Sequence, residues 1–263
     1  MSKIEIENLS FCYEANGRRA AALENIDLRV EAGEFLCLLG PSGCGKSTLL
    51  SILNGLNRAS GGEVRIDGRP ITGPGRDRAV VFQHYSLFPW LTAEKNVMFG
   101  IEQSGRKCSR AERRQIADDF LEQVGLLEAR EKYPAELSGG MQQRVAIARA
   151  LAMDADILLM DEPFGAVDPK LRLELQELVG WLSMEHGKTV VFVTHDIDEA
   201  ILLADRIVVM EPKHIRAIET LRLPRPRSRD ALAAQPEYAK LRQRLMSLFY
   251  EQVASHIGEE VVL

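Results

Sequence analysis

Short apolar runs alternate along the chain with longer segments of helical periodicity. Four runs have the apolar character of buried strands: GEFLCLLG (33–40), AVVFQ (79–83), ADILLMDEP (155–163) and TVVFVTHD (189–196). The segments between them that have helical spacing are KSTLLSILNGL, VAIARALA and LRLELQELVGWLSM. Strands that alternate with helices in this way predict an α/β fold with a largely parallel sheet.

Weaker strand signals lie outside these runs. Residues 3–9 and 25–31 alternate in polarity, as half-exposed strands do. Residues 61–71, GGEVRIDGRPI, predict a small hairpin, and residues 215–223, IRAIETLRL, predict edge strands.

Two further regions have the spacing of helices. From about Ala93 to Lys132 the chain is polar and helical in pattern, which predicts a helical insert. The tail predicts a C-terminal helix, with apolar side chains along one stripe. These side chains are Tyr238, Leu241, Leu245, Leu248, Phe249 and Val253.

Composition places the chain among soluble globular proteins. Its 263 residues are 46% hydrophobic and 27% charged, and its formal net charge of −5 does not indicate a nucleic-acid partner. The start, MSKIEIENLS, has no signal-peptide pattern, and no apolar run approaches the length of a membrane span. The four cysteines form no CxxC pair and are expected to be free thiols: Cys12, Cys37, Cys44 and Cys108.

The segment GPSGCGKST fits the phosphate-binding pattern G-x-x-x-x-G-K-[ST] between a predicted strand and a predicted helix. Lys46 is expected to reach the β- and γ-phosphates of a nucleotide, and Ser47 to give its hydroxyl to Mg²⁺. The alternative to a phosphate-binding loop (P-loop) is an ordinary glycine-rich turn. Within the segment, Cys44 is interpreted as a spacing residue. The candidate nucleotide-binding residues are Gly40, Pro41, Ser42, Gly43, Cys44, Gly45, Lys46, Ser47 and Thr48.

A second motif, ILLMDEP (157–163), brings two carboxylates to the end of a buried strand, where ligands bind in parallel sheets. Asp161 is expected to hold Mg²⁺, and Glu162 to act as the general base for a water that attacks the γ-phosphate. The alternative is a pair of solvated carboxylates.

A third motif, LSGGMQQR (137–144), precedes a helix. Such a start presents unpaired backbone N–H groups and the positive end of the helix dipole, which favours an anion. The chain therefore has two helix starts suited to phosphate.

Taken in order, these motifs resemble the ATP-binding subunits of ABC transporters over about residues 3–223. Gln83 after a strand, Asp168 in GAVDP and His195 in VTHD complete the series. The resemblance implies an α/β P-loop NTPase fold, the ABC-type nucleotide-binding domain, with a helical subdomain and a small antiparallel β subdomain. It places an ABC ATPase domain at residues 1–230, the helical subdomain at about 93–150, and a C-terminal helical extension at 231–263.

The resemblance also explains the second helix start. In ABC ATPases two subunits pack head to tail around two ATP molecules, and the LSGGMQQR helix of one faces the γ-phosphate bound by the other. The residues that carry over to this role are Ser138, Gly139, Gly140 and Gln142. With one P-loop and one LSGG, the chain must pair with a second cassette; a homodimer is expected, and a heterodimer stays open.

Family roles carry over to single positions. Gln83 would contact Mg²⁺ and the attacking water, and His195 the γ-phosphate. Asp168 would organise the dimer seam, although GAVDP departs slightly from the common GALD. Tyr13 would stack on adenine, with Phe11 as the competing aromatic residue and a simple strand-face role as the alternative.

The branch is indicated by LFPWLTAEKNV, DEPFGAVD, THDIDEAILLADRIVVM and LPRPR, which look like importers of nitrate, sulfonate and taurine; EPKHIRAIE departs from that pattern. The resemblance implies transmembrane permease subunits, a periplasmic or lipoprotein substrate-binding protein, and a peripheral position on the cytoplasmic face of the inner membrane. A loop of bulky residues is expected to receive a coupling helix of the permease, or to form a local cluster: Leu87, Phe88, Pro89 and Trp90.

Other features have plainer interpretations. The segment LRLPRPRSR (221–229) is expected to be solvated, with contact to anionic lipid as the alternative. The C-terminal helix is expected to pack on its own domain or to join a partner. The histidines without ligand spacing are expected to be solvated or structural: His84, His186, His214 and His256.

A non-transport ABC ATPase of DNA repair or translation is the alternative function. Lys46 and Ser138 are 92 residues apart, which leaves room for a small helical subdomain and not for a long coiled coil. Translation-type factors join two cassettes in one chain. The transported molecule is not specified by this sequence, because the partners would select it.

Overall fold

The computed structural model describes residues 2–15, 18–83, 86–165 and 167–260, of which 15, 18 and 251–260 are described by backbone alone. The strands are β1 (Ser2–Ala15), β2 (Arg18–Glu31), β3 (Phe35–Leu39), β4 (Gly61–Ile66), β5 (Arg69–Pro70), β6 (Arg78–Val81), β7 (Ile157–Asp161), β8 (Thr189–Thr194), β9 (Arg206–Glu211) and β10 (His214–Thr220). The helices are α1 (Lys46–Leu53), α2 (Ala93–Ser104), α3 (Arg110–Gln123), α4 (Gly139–Ala152), α5 (Pro169–Glu185), α6 (Ile197–Leu203), α7 (Arg229–Ala233) and α8 (Pro236–Glu260).

The chain divides into two compact units. The first comprises residues 1–74 and 189–263, and the second comprises residues 75–188. The order of strands and helices confirms the predicted α/β class. No helix among the described residues is both long enough and apolar enough to span a bilayer.

The first unit contains the predicted antiparallel β subdomain, with strand order β2-β1-β4-β5. Alternation predicted only residues 3–9 and 25–31 as strands, but β1 and β2 pair over almost their whole lengths. The register shifts after Ile6, after Leu9 and again between Phe11 and Cys12. Such irregularities interrupt the two-residue alternation of polar and apolar side chains, so the polarity pattern beyond Leu9 does not predict a strand.

Strand β3 lies at the centre of the parallel part of this unit. It pairs in parallel with β8 and β9, and β10 adds an antiparallel edge. Every residue of β3 and β8 is buried, which explains their continuous apolar runs. Phe35 and Phe192 contribute to this core, with ring centroids 5.8 Å apart.

The C-terminal segment of the first unit contacts α6. Helix α8 packs against α6, α7 and β9. Arg227 is only 9% exposed and donates to backbone carbonyls of Leu223 and Ala204. Arg225 forms an ion pair with Asp205 at 2.7 Å. The prediction of a solvated arginine segment is therefore wrong at Arg225 and Arg227. Arg225 is bound by a carboxylate and Arg227 by carbonyls at a helix end, and the sequence pattern does not reveal either partner.

The second unit contains the predicted helical insert. Helices α2, α3 and α4 pack on one another, while β6 and β7 pair in parallel. The chain approaches closely at Gly100, where an added Cβ would lie 2.3 Å from the carbonyl oxygen of Arg149. Side chains that accept backbone N–H groups begin three of its helices: Thr92 for α2, Ser109 for α3 and Ser138 for α4.

Candidate nucleotide-binding and catalytic residues

The P-loop joins β3 to α1 through a tight turn. An added Cβ at Gly40 would lie 2.6 Å from the carbonyl oxygen of Met210, so no side chain fits there. Gly45 has φ of +110°, and an added Cβ would lie 2.7 Å from Cδ2 of Leu23. These glycines bring the backbone close to its neighbours and leave the N–H groups of the loop at the start of α1.

The ammonium of Lys46 is held by the P-loop itself. The side chain is buried, and Nζ donates to the carbonyl oxygens of Gly40 and Pro41, both at 2.7 Å. These contacts fix the positive charge inside the loop that would surround phosphates. Ser47 is exposed beside it.

Cys44 is buried within the same loop. Burial raises the pKa of its thiol, although the nearby Lys46 ammonium lowers it in part. The thiol is therefore protonated at neutral pH, and this protonation agrees with a spacing role rather than a catalytic one.

Tyr13 lies beside the first turn of α1. Its hydroxyl is 3.0 Å from Oγ1 of Thr48, and 48% of its surface is exposed. Phe11 is 8% exposed and meets the Tyr13 ring edge to face, with centroids 4.9 Å apart. Of the two aromatic residues, Tyr13 is the one whose ring is available to a ligand, and adenine stacking by Tyr13 stays a prediction.

In the second unit, the ends of β6 and β7 bring Gln83 to the turn after Asp161. The two strands are parallel, so their carboxyl ends lie at the same edge. The turn is tight: the N–H of Gly165 donates to the carbonyl of Glu162 at 3.1 Å. An added Cβ at Gly165 would lie 3.0 Å from Nε2 of Gln83, which places the Gln83 amide against this turn.

Glu162 has an unusual backbone conformation. Its φ of +43° is in the left-handed region, which costs a non-glycine residue about 1–3 kcal/mol. Such conformations are concentrated at functional sites, where surrounding structure holds them. Here the turn directs two successive carboxylates, Asp161 and Glu162, from the end of one strand.

The LSGGMQQR motif (137–144), called the signature motif from here on, contains the start of α4. Ser138 caps the helix, accepting from the N–H of Met141 at 3.3 Å, and Nε2 of Gln142 donates to the carbonyl of Leu137 at 3.1 Å. An added Cβ at Gly140 would lie 1.7 Å from Cδ2 of Leu171, so a side chain there would displace the Leu171 side chain. The start of α4 is therefore a capped helix end that packs against α5.

Asp168 begins the next helix. Its carboxylate caps α5 by accepting from the N–H of Leu171 at 3.1 Å, and Pro169 follows it at the first helical position. Ala166 of the GAVDP motif lies outside the described residues. Asp168 thus has a structural role in addition to the dimer-seam role that the family resemblance predicts.

His195 connects β8 to α6 in the first unit. It is exposed and lies between Thr194, the last residue of β8, and Asp196, the N-cap of α6. The Asp196 carboxylate accepts from the N–H groups of Asp198 at 2.8 Å and Glu199 at 3.1 Å. This cap fixes the backbone that follows His195.

The residues expected to hold Mg²⁺ all offer oxygen. Ser47 supplies a hydroxyl, Asp161 a carboxylate and Gln83 an amide oxygen. Magnesium bound beside phosphates commonly uses one or two carboxylates together with substrate oxygens, so this donor set suits it.

The bulky loop after Gln83 has a packed part and an exposed part. Phe88 meets Phe99 with ring centroids 4.6 Å apart, and Asn96 hydrogen-bonds to the backbone N–H and carbonyl of Phe88. Trp90 is 70% exposed. His84 and Tyr85, which begin this segment in the sequence, lie outside the described residues.

Three side chains that each join two elements had no such role predicted from the sequence: Arg149, Tyr238 and Arg242. Arg149 had a signal, since it is a lone charge in the apolar helix VAIARALA. Two histidines are structural: His186 hydrogen-bonds with Gln123 at 3.0 Å, and His214 with the carbonyl of Glu24 at 2.9 Å. His84 and the side chain of His256 lie outside the described residues.

The chain is similar in sequence to known proteins. A family model described as ABC transporter matches residues 23–165. The nitrate import ATP-binding protein NrtD of Synechococcus elongatus is 48% identical over 236 residues, which are 89% of this chain and 86% of that protein. The bicarbonate transport ATP-binding protein CmpD of the same species is 44% identical over 252 residues, which are 95% of this chain and 91% of that protein.

Among solved structures, a dimeric ATP-binding cassette in a post-hydrolysis state bound to ADP and Pi matches with a TM-score of 0.76. It is 38% identical in sequence, and the match covers 84% of this chain and 100% of that one. The chain therefore belongs to the ABC transporter family, as an ATP-binding subunit with the ATPase activity of that family.

Proposed function

We propose that this subunit powers the import of a small solute such as nitrate, a sulfonate or taurine. The observation that best supports this proposal is the sequence identity of 44–48% with relatives named for nitrate import and bicarbonate transport, over 89–95% of the chain. The motifs LFPWLTAEKNV and THDIDEAILLADRIVVM support the same branch. We propose that the ATPase domain comprises residues 1–230, with a helical subdomain at about 93–150, and that residues 231–263 form a C-terminal helical extension.

The reaction is ATP + H₂O → ADP + phosphate. Lys46 holds the β- and γ-phosphates, and Ser47, Asp161 and Gln83 would hold Mg²⁺. When bound, Mg²⁺ neutralises charge on the phosphate oxygens. Glu162 takes a proton from the attacking water while the water oxygen bonds to the γ-phosphorus and the bond to the β,γ-bridging oxygen breaks.

The remaining site residues act around this step. His195 contacts the γ-phosphate, and Tyr13 stacks on adenine. Ser138 and the first turn of α4 donate to the γ-phosphate bound by the other subunit of a head-to-tail homodimer. Asp168 organises the seam of that dimer. ATP then closes the dimer, and hydrolysis allows it to open.

Transport requires other chains. Permease subunits carry the solute across the membrane, a substrate-binding protein delivers it, and this subunit is peripheral on the cytoplasmic face. Trp90, exposed beside a packed loop, is the candidate contact for the permease. A DNA-repair role is not favoured, since α2 and α3 have 12 and 14 residues and are far too short for a long coiled coil. A translation role is not favoured, since the relatives are named for transport.

Complementation of a bacterial strain from which the gene is deleted tests this proposal. Expression of the wild-type gene in this strain should restore uptake of labelled nitrate, bicarbonate or taurine, measured separately for each solute. Lys46→Ala should abolish that uptake, whereas Lys240→Ala, a change at an exposed lysine of α8, should leave it normal. Undiminished uptake of all three solutes in the deleted strain would contradict the proposed branch.

A further inference from the structure

Helix α6 begins two residues after His195, and its first turn is hydrogen-bonded to the C-terminal helix α8. The hydroxyl of Tyr238 donates to Oδ1 of Asp198 at 2.9 Å, and Nε of Arg242 donates to the same oxygen at 2.8 Å. Nη2 of Arg242 is 3.4 Å from Oδ2 of Asp198. One carboxylate in the first turn of α6 therefore receives donors from two successive turns of α8.

The other end of α6 is held by Arg227. Its Nη1 donates to the carbonyl oxygens of Ile201 and Ala204, both at 2.7 Å. Burial lowers the pKa of Arg227 to about 10, so the guanidinium is still charged at neutral pH. A cation at the carboxyl end of a helix is favourable, because the last carbonyl oxygens of a helix have no N–H donor further along it. The C-terminal segment thus fixes α6 at both ends.

The fixed helix in turn holds the backbone on both sides of His195. The Asp196 N–H donates to Oγ1 of Thr194 at 3.0 Å, and that hydroxyl donates to the buried Glu199 at 2.6 Å. The Asp196 carboxylate caps the N–H groups of Asp198 and Glu199. A displacement of the first turn of α6 would therefore move both residues that flank His195.

We propose that Tyr238 and Arg242 are positioning residues for His195, acting through Asp198 and the first turn of α6. The inference rests on the proposed contact of His195 with the γ-phosphate. It assigns to the C-terminal helix a role in catalysis that its place at the end of the chain does not suggest. A strand-end histidine on an exposed connection needs such support, because catalytic contacts tolerate little displacement.

The carboxylate at this contact is charged at neutral pH. Burial raises the pKa of Asp198, but the hydrogen bonds from Arg242 and Tyr238 lower it, and the resulting pKa is below the ordinary value. The Asp198 carboxylate is therefore ionised. Arg242 and Asp198 are 41% and 33% exposed, and exposed ion pairs contribute little to stability. Loss of Arg242 should consequently affect the position of α6 more than the folding of the chain.

Arg242→Gln and Tyr238→Phe test the inference, with Arg244→Gln as the matched control. Arg244 lies on the same helix and pairs with Glu219 at 2.8 Å, away from α6. We expect Arg242→Gln to lower kcat about tenfold, less than the 10²-fold that a displacement of about 1 Å can cost, with KM for ATP nearly unchanged. Arg244→Gln should have wild-type kcat, and both variants should melt at similar temperatures.

A second comparison separates positioning of His195 from a general loss of structure. In a His195→Ala background, single-turnover hydrolysis should show no further loss on adding Arg242→Gln. An equal loss in both backgrounds would overturn the inference while leaving the role of His195 intact. Wild-type kcat in Arg242→Gln and Tyr238→Phe, with a defective His195→Ala, would do the same. A fully active His195→Ala enzyme would instead overturn the proposed role of His195, and the inference with it.

Discussion

The guanidinium of Arg149 lies over the ring of Phe88, 5.6 Å from the ring centroid, and its Nη1 donates to the carbonyl of Ser86 at 2.7 Å. Burial lowers the pKa of Arg149, yet an arginine in such a place stays charged at neutral pH. The contact joins α4, which begins with the signature motif, to the loop that follows Gln83. A displacement of Ser86 or Phe88 would therefore break contacts with α4.

The exposure of Trp90 and the packing of Phe88 predict different effects of their truncation. Trp90→Ala should preserve the melting temperature and basal ATP hydrolysis but abolish co-purification with the permease, because its 70% exposed side chain contributes little to the fold. Phe88→Ala should lower stability, by less than the about 3–5 kcal/mol of a fully buried phenylalanine. Melting curves and pull-downs measure the two effects separately.

Trp181→Ala is the control for this comparison. Trp181 is also an exposed tryptophan of the second unit, 46% exposed on α5, and it should retain permease binding. Normal permease binding by Trp90→Ala, together with a large fall in melting temperature, would favour a purely local cluster at this loop.

The elements near the nucleotide motifs were predictable because their patterns are local. A fully buried strand such as β3 has a continuous apolar run, and a P-loop has a fixed spacing of glycines. The burial of Arg227 was not predictable, since two of its partners, the carbonyls of Ile201 and Ala204, lie 26 and 23 residues away in the sequence. Likewise, the sequence left Tyr13 and Phe11 open because exposure at the irregular end of β1 depends on register shifts.

Glu162 should be indispensable for turnover but not for ATP binding. Glu162→Gln keeps the size and the left-handed backbone position of the side chain while removing the base, so hydrolysis should fall about 10²–10⁴-fold. ATP should then hold a stable dimer. Phosphate release and light scattering with ATP measure both effects. Turnover near the wild-type rate would refute the assignment of the base.

Tyr13 should contribute to ATP affinity through its ring rather than its hydroxyl. Tyr13→Phe loses the hydrogen bond to Thr48 but retains the ring, so ATP affinity should be nearly unchanged. Tyr13→Ala should weaken binding by about 1–3 kcal/mol, the range measured for base stacking. Phe11→Leu is the control, since buried Phe11 is not expected to contact a ligand. Titration with a fluorescent ATP analogue measures these affinities, and equal affinity in all variants would exclude stacking.

His186 should make the stability of the protein depend on pH. Burial, helped by the Lys188 ammonium, lowers the pKa of His186 below its ordinary value of 6.5. Between those two pKa values the unfolded chain binds more protons, so stability rises with pH there and is lost as pH falls. Denaturant unfolding from about pH 7.5 to about pH 5 should show a shallower pH dependence for His186→Gln. Identical slopes would contradict a depressed pKa.

The start of α4 should act on the nucleotide of the other subunit. Ser138→Arg places a large cation at the helix start and should stop hydrolysis while leaving ATP binding to the intact P-loop. The substitution also removes a helix cap, which costs about 0.5–2 kcal/mol. Ser138→Ala is therefore the control: it loses the same hydrogen bond to Met141 without adding a charge, and it should retain part of the activity.

Mixing Ser138→Arg with Lys46→Ala protein distinguishes the two possible arrangements. If α4 serves the opposite subunit, the mixed dimer has one site with both defects and one with neither, and ATP hydrolysis should partly return. If α4 serves its own nucleotide, both sites of the mixed dimer are defective and no activity returns. Phosphate release at several mixing ratios should then be highest near equal amounts, because mixed dimers are most abundant there. A flat, inactive profile, or loss of ATP binding in Ser138→Arg alone, would refute the head-to-tail arrangement.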